Sequence, residues 1–444
     1  MRRTTIYVLL LFFGTNLARG QSQQFTLKEA QKYAIEHNKT VQGYKIDKQI
    51  TEKKIKEVLS IGLPQVNGEG SFQHFIDLPT SVIPANAFDP SAPEDLLIPV
   101  KFGTDFNMSA SITASQLLFD GSYFIGLKAA RMIPQLSQLG VEKSEQEIKD
   151  EVAKAYYNVV VADENVRVLK ASLENSENLL KDTKVFLDSK QMRDSTNYEQ
   201  MQLLVSNLKN SISRAERLRE IAVRVLKLNM GIPQAQSVEI SESLTGVMQQ
   251  VNYEELMSKT FSAGNHVDHK MLQTQIQLDE MNLKNEKARI LPSLGAFYTH
   301  QEQSFGNNFS FSNSWYPANI WGLNLKVPIW GSGTRAARMS QAKLQMEKNE
   351  LLLTQVDEGL TMQAETAKLN FTTAYEVFNT EKENLALAQR IQDRTLKKSD
   401  LKTIGRMELT QVQNQYLQTE GNYILAMMEL LNAKAALDKI LNNY

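Results

Sequence analysis

The stretch Ile148–Leu187, IKDEVAKAYYNVVVADENVRVLKASLENSENLLKDTKVFL, decides the fold. Taken at alternating steps of four and three, it reads Ile148, Val152, Ala155, Val159, Ala162, Val166, Leu169, Leu173, Ser176, Leu180, Thr183, Leu187. Residues at this spacing lie along one side of a helix, and when most are apolar they form a coiled-coil seam. Adding 212 to the first ten numbers gives Leu360, Ala364, Ala367, Phe371, Ala374, Phe378, Glu381, Leu385, Ala388 and Gln392, the same pattern in the same register. The chain therefore reads as a tandem duplication built on long helices. A seam of this kind only packs helices together, so the function must come from what lies between them.

Outward from the first seam, the helical pattern starts at Gly121 and runs to about Leu187. About 65 residues at 1.5 Å each predict a rod near 100 Å long, with Pro134 as a candidate kink. A turn over 188–194 and a return helix, stopped by Gly231-Ile232-Pro233, complete a hairpin spanning 121–230. The second copy, 332–441, turns near Gly405 and returns on its own seam of Leu409, Val412, Tyr416, Tyr423, Ala426, Leu430, Ala433, Leu437 and Ile440. Each hairpin is preceded by another helix. The first runs from Thr26 to about Gly62 before Pro64, and the second from Tyr253 to Leu291-Pro292. Between helix and hairpin the period changes to two, predicting strands over 64–76 and 102–119 in the first copy and over 292–302 and 318–330 in the second. Pro79, Pro84, Pro90, Pro93 and Pro99 predict an irregular exposed loop over 77–100, and a second loop covers 303–317. The expected organisation is a first repeat over 21–231, a polar linker over 232–251 and a second repeat over 252–444.

A net charge of -1 argues against a nucleic-acid binder, which normally carries a basic excess. With no cysteine, a disulfide, a lipid-modified cysteine and a thiolate metal site are all excluded. Arg2 and Arg3, the apolar run Ile6–Phe13 and Ala18-Arg19-Gly20 have the layout of a secretory signal peptide over 1–20. No later run reaches the roughly 20 apolar residues of a membrane helix. Neither a Gly-x-x-x-x-Gly-Lys phosphate loop nor a His-Glu-x-x-His zinc motif occurs. We expect no enzyme, no catalytic residue, no resident metal and no cofactor. His266 and His269, three apart, read either as a solvated helix start or as two metal ligands. The basic run Arg390, Arg394, Lys397 and Lys398 is either a solvated face or a partner contact.

The strands carry the sharper expectation. In one, Phe106, Met108, Ala110 and Ile112 alternate with Asn107, Ser109, Ser111 and Thr113; in another, Trp321, Leu323 and Leu325 alternate with Gly322, Asn324 and Lys326. This pattern fits a barrel wall with lipid outside and water inside, or the edge of a soluble sandwich with one buried face. Trp315, Trp321 and Trp330, the only tryptophans, gather at one strand and read as an aromatic girdle at the edges of a lipid layer. Strict alternation puts Trp330 opposite Trp321, a conflict that a bulge at Pro328 would remove. A barrel needs about eight strands or more, and open edges cannot face lipid. Four strands per chain therefore predict an oligomer, without giving its number.

The duplicated order of helix, two strands and long hairpin resembles the TolC-like outer membrane efflux protein family over essentially the whole mature chain. Local marks are Asn38 and Asn265, Leu63-Pro64-Gln65 and Leu291-Pro292-Ser293, Phe119-Asp120-Gly121 and Trp330-Gly331-Ser332-Gly333, and Ile404-Gly405. The resemblance implies a mainly α fold with transmembrane β: a homotrimer with a twelve-stranded barrel in the outer membrane of a Gram-negative bacterium and a helical tunnel in the periplasm. It implies a passive duct for drugs or other small molecules, with a periplasmic adaptor and an inner-membrane pump as partners. Alternatives are a channel for protein secretion and, in another class, a periplasmic coiled-coil scaffold. Lys190, Gln191 and Met192, with Ile404, Gly405 and Arg406, are then the expected adaptor-docking tip. Family aspartates beyond the tip glycine are replaced here by Asn197, Gln411 and Asn414. Asp194 and Glu408, one turn nearer the tip, either ring the tunnel aperture or are helix-start acids favoured by the helix dipole.

Overall fold

A computed structural model describes residues 23–88, 90–188, 195–400 and 406–443. Its elements are β1 (Gln23–Phe25), α1 (Leu27–His37), α2 (Lys39–Ser60), β2 (Gln65–His74), β3 (Thr80–Pro84), β4 (Leu97–Lys101) and β5 (Phe106–Asp120). Then come α3 (Gly121–Ala130), α4 (Ile133–Asp188), α5 (Thr196–Met230), β6 (Val238–Ile240), α6 (Leu244–Gln249), α7 (Tyr253–Ser258) and α8 (Val267–Ala288). The chain closes with β7 (Ser293–Gly306), β8 (Trp315–Lys326), α9 (Thr334–Asp400) and α10 (Arg406–Leu441). It folds as two compact units: a helical unit of residues 1–46, 139–270 and 354–444, and a strand-bearing unit of 47–138 and 271–353. No helix among the described residues is long and apolar enough to cross a membrane.

The two seams form the spine of the helical unit. No position of either seam is exposed; Val152 and Phe371 reach 0%. Phe371 stacks on Tyr253 at 5.8 Å, fixing α7 against α9. Around Val152–Val161 the helix α4 is buried well beyond one seam, because Ala153, Tyr156, Tyr157 and Val160 are covered too. The extra cover is a small cap around β1, α1 and α6. In it β1 pairs in parallel with β6, and the Tyr156 hydroxyl donates to the Phe25 carbonyl at 3.0 Å. The linker expected over 232–251 therefore contains β6 and α6. Three-residue strands give no periodic signal, so this pairing was hidden in the sequence.

Several expected single helices are broken, each for a local reason. Thr26 and Glu29 form a capping box at the start of α1. Asn38 then ends α1 and starts α2: its Oδ1 accepts from the Thr40 amide at 2.8 Å and its Nδ2 donates to the Asn229 carbonyl at 2.8 Å. Gly231 closes α5 in the left-handed region at φ 75, where a Cβ would stand 2.5 Å from the His37 carbonyl oxygen. The hairpin helix expected from Gly121 breaks at 131–132, so that Pro134 falls in the first turn of α4, where a missing N–H costs nothing. The second copy has no proline there, and α9 runs unbroken for 67 residues. Before α8 the chain also breaks, and His266 Nδ1 accepts from the Asp268 amide at 3.2 Å as a cap.

In the strand-bearing unit the sheet order is β2–β5–β7–β8, every neighbour antiparallel. The strand expected over 102–119 starts only at Phe106, because Gly103 turns at φ 124. Phe102, Thr104 and Asp105 are therefore outside it. The strands expected over 292–302 and 318–330 instead run Ser293–Gly306 and Trp315–Lys326, which shortens the loop between them. The loop expected to be irregular over 77–100 contains a separate hairpin of β3 and β4. Its prolines sit where such a two-stranded ribbon tolerates them, at strand ends and on edges. Asp120 accepts from the amides of Ser122 and Tyr123 and so caps α3 at the sheet-to-helix switch.

Candidate functional site: the sheet faces and the ends of the helical hairpins

Register assigns the two faces of the sheet. Val66, Gly68, Gly70 and Phe72 of β2 lie beside Ala114, Ile112, Ala110 and Met108 of β5. The latter lie beside Tyr298, His300, Glu302 and Ser304 of β7, and these beside Trp321, Asn319, Pro317 and Trp315 of β8. A bulge between Leu117 and Phe119 brings Phe119 beside Leu294 and keeps the apolar set on this face to the end of the strand. The opposite face carries Asn67, Glu69, Ser71, Asn107, Ser109, Thr113, Thr299, Asn324 and Lys326. Its hydroxyls bond across strands: Ser71 to Ser109 at 2.8 Å and Thr113 to Thr299 at 2.9 Å.

The alternation is not strict: Phe297, Phe305, Tyr316 and Ile320 lie on the polar face, and His74, Gln116, His300, Glu302, Ser304 and Asn319 on the apolar one. His300, Glu302 and Asn319 share the face of Ile112 and Trp321. They satisfy one another: His300 Nδ1 lies 2.8 Å from Asn319 Oδ1, Tyr298 donates to the same oxygen at 3.0 Å, and His300 Nε2 lies 3.7 Å from Glu302. The tryptophans also fall differently from expectation. Trp315 and Trp321, six residues apart in β8, share a face. Trp330 follows the end of the strand, so no bulge at Pro328 restores it to the sheet. Trp315 instead joins an aromatic cluster that sequence reasoning missed. Phe309 meets Phe72 at 5.4 Å and Phe311 at 5.3 Å, over Met108 and Gly70. The loop phenylalanines sit outside any periodic run, which is why no pattern flagged them.

The sheet has two open edges. All ten residues of β2 are exposed, and so are most of β8, whereas β5 and β7 are covered on both sides by neighbours. β2 and β8 run antiparallel to their only partners. With four strands alternating in direction, the β8 edge of one sheet is antiparallel to the β2 edge of another.

In the helical unit the seams turn polar toward the hairpin ends. Ser176 and Thr183 of α4 are buried there, and a cleft of about 810 Å³ is lined by Ser172 of α4, Gln392 of α9 and Gln413 and Glu420 of α10. Gln392 donates to Gln413 at 2.5 Å, while the Gln413 amide nitrogen and the Ser176 hydroxyl are buried without partners. Glu420 accepts from Tyr416 at 3.2 Å and from Ser172 at 3.4 Å. Burial outweighs these bonds and nearby Arg167, and pushes the Glu420 carboxyl above the usual range. Desolvation, with Glu420 beside it, pushes Tyr416 up to about 12.

Of the expected aperture residues, Glu408 is exposed in the first turn of α10, where the helix dipole favours an acid. Gln411 and Asn414 are exposed and line a groove with Gln200, Leu203, Leu204 and Asn207 of α5. Asn197 lies in the first turn of α5 and Arg406 starts α10. Asp194, with the tip residues Lys190, Gln191, Met192, Ile404 and Gly405 and the segment 1–20, lies outside the described residues. Arg390, Arg394, Lys397 and Lys398 are all exposed on α9. His266 and His269 do not converge: the first caps α8, and the second pairs with Asp357 at 2.7 Å. Burial pushes His266 down. Among the described residues no cluster of three His, Asp or Glu could hold a metal.

A search of curated proteins finds no match. The family model described as outer membrane efflux protein matches residues 262–443, the second copy. Several solved structures share the fold over both copies. The open state of the MtrE outer membrane channel of Neisseria gonorrhoeae is 16% identical, with 94% of this chain and 88% of that one covered at a TM-score of 0.72. CusC, solved in a study of folding and transmembrane channel formation, is 15% identical, with 94% and 92% covered at 0.71. The outer membrane protein VceC of Vibrio cholerae is 11% identical, with 94% and 95% covered at 0.69. In sequence the second copy is similar to the outer membrane efflux protein family, and in fold both copies are similar to these solved outer membrane channels.

Proposed function

We propose that this chain is an outer membrane efflux protein, three copies of which close a twelve-stranded barrel and work as a passive export duct. One observation carries the reading: a four-stranded sheet with two open edges of complementary direction and one apolar face. Such edges cannot face lipid, and three sheets joined β8 to β2 leave none. The apolar face then meets lipid, with Trp315, Trp321 and Trp330 as girdle residues, and the polar face lines a wet lumen. A second observation agrees. In α5, Leu218, Ile221, Val225 and Leu228 follow one another at steps of three, four and three and are 43–69% exposed. A seam left bare in one chain calls for a neighbouring chain.

In this reading the helical unit lies in the periplasm. The tip residues Lys190, Gln191, Met192, Ile404, Gly405 and Arg406 meet a periplasmic adaptor, which couples the duct to an inner-membrane pump. Asp194, Asn197, Glu408, Gln411 and Asn414 form its aperture. The cargo is a drug or another small molecule, and the protein performs no chemistry on it. Extraction of the outer membrane with detergent should yield a trimer that heat dissociates. Recovery of all the protein without detergent would exclude the duct and favour a soluble scaffold.

A further inference from the structure

The helical unit contains a second pocket, away from the seams' polar end. It encloses about 420 Å³ between α1, α4, α6 and α10, a size typical of small-molecule sites. Leu27, Ile35, Ala153, Val247 and Ala435 supply an apolar floor, and Lys28, Lys32, Lys149 and Lys434 surround it.

The charges are not balanced locally. Asp438, the acid lining the pocket, is engaged on both oxygens, by Lys434 at 2.6 Å and by Asn443 at 2.7 Å. Nearby Glu242 is likewise occupied, by the Leu27 amide and the Gln250 side chain, each at 2.8 Å. Lys28, Lys32 and Lys149 have no acidic partner among the described residues. Tyr157, which also lines the pocket, is 3% exposed, and its hydroxyl makes no hydrogen bond among them.

We propose that this pocket binds a small anionic amphiphile, a sulfonate, sulfate or carboxylate on a compact apolar body. The body occupies the apolar floor. The anion meets the three free ammonium groups at the rim, with the Tyr157 hydroxyl as a further donor. Neutral analogues gain only the floor contacts, and cations meet like charge.

The test uses the full assembly in neutral detergent, with 2-naphthalenesulfonate as probe and saturation-transfer NMR or calorimetry as readout. Protein-free micelles give the background. Saturable binding is expected, about tenfold tighter than that of 2-naphthol and far tighter than that of a naphthyl trimethylammonium cation. The triple variant Lys28→Ala, Lys32→Ala, Lys149→Ala should lose about tenfold in affinity for the sulfonate and nothing for 2-naphthol. Gln250→Trp, which narrows the mouth, should weaken both. Equal affinity for sulfonate and naphthol, no saturable binding, or an unchanged triple variant would overturn the proposal. So would a disulfide between copies at Lys32→Cys in this cysteine-free chain, because a neighbouring chain would then cover the pocket.

Discussion

The bare seam of α5 gives a quantitative test of assembly. Leu218, Ile221, Val225 and Leu228 are 55%, 56%, 43% and 69% exposed in one chain. Burying such a side chain completely contributes about 1.5–3 kcal/mol. With about half of each surface already covered, a neighbour's helix should add about 1 kcal/mol per residue, or about 4 kcal/mol per chain. That is roughly a thousandfold in the association constant at each interface. Replacing all four by glutamine should leave the protomer folded, since each side chain points away from its own core, but dissociate the trimer. The comparison variant is Phe371→Ala. Phe371 is 0% exposed, and losing its ring should destabilise the protomer itself by about 3–5 kcal/mol. Native mass spectrometry reports the trimer fraction and far-ultraviolet circular dichroism the helix content. If the quadruple variant dissociates no more readily than wild type, this face is not an interface and the reasoning fails.

Four further outcomes follow from particular residues. Gly231→Ala forces a side chain into the left-handed region and against the His37 carbonyl, and should lower stability by about 2 kcal/mol or more, read by thermal unfolding. Glu420→Gln should raise the unfolding temperature at neutral pH. The folded carboxyl titrates above its unfolded value, so its favourable protonated form is lost as pH rises through the folded pKa. The advantage should disappear below the ordinary carboxylate range, and a constant difference at all pH values would contradict this account. Gly405→Trp should abolish export in a drug-susceptibility assay while trimers still assemble; normal export would remove the tip from adaptor docking. The double variant Asp194→Asn, Glu408→Gln should lower cation preference in planar bilayers at low salt, and an unchanged reversal potential would place these acids away from the aperture.

The long-range plan was legible because it is periodic. The heptad seams, the step from period 3.6 to period two and the offset of 212 are properties of the chain itself. They point to α4, α9, α10 and the four sheet strands, although α4 begins at Ile133 rather than at Gly121. What escaped notice was short or non-periodic: β1 with β6, the β3–β4 hairpin, and Phe309 and Phe311 over Phe72. Their signal is a contact between distant residues, which no local window contains.

The candidate sites divide along the same line. Alternation was enough to assign Asn107 and Lys326 to one face and Trp321 to the other. It could not show that β7 presents His300 and Glu302 to the apolar side, because only strand register aligns them with Ile112 and Asn319. The lysine-rimmed pocket draws its residues from α1, α4 and α10, more than a hundred positions apart. Sequence alone determined the helical seams, the long helices and the alternating strands, since each follows from local periodicity. Tertiary structure decided which charges stay unpaired and which apolar faces stay bare, because both depend on what the rest of the folded chain leaves uncovered.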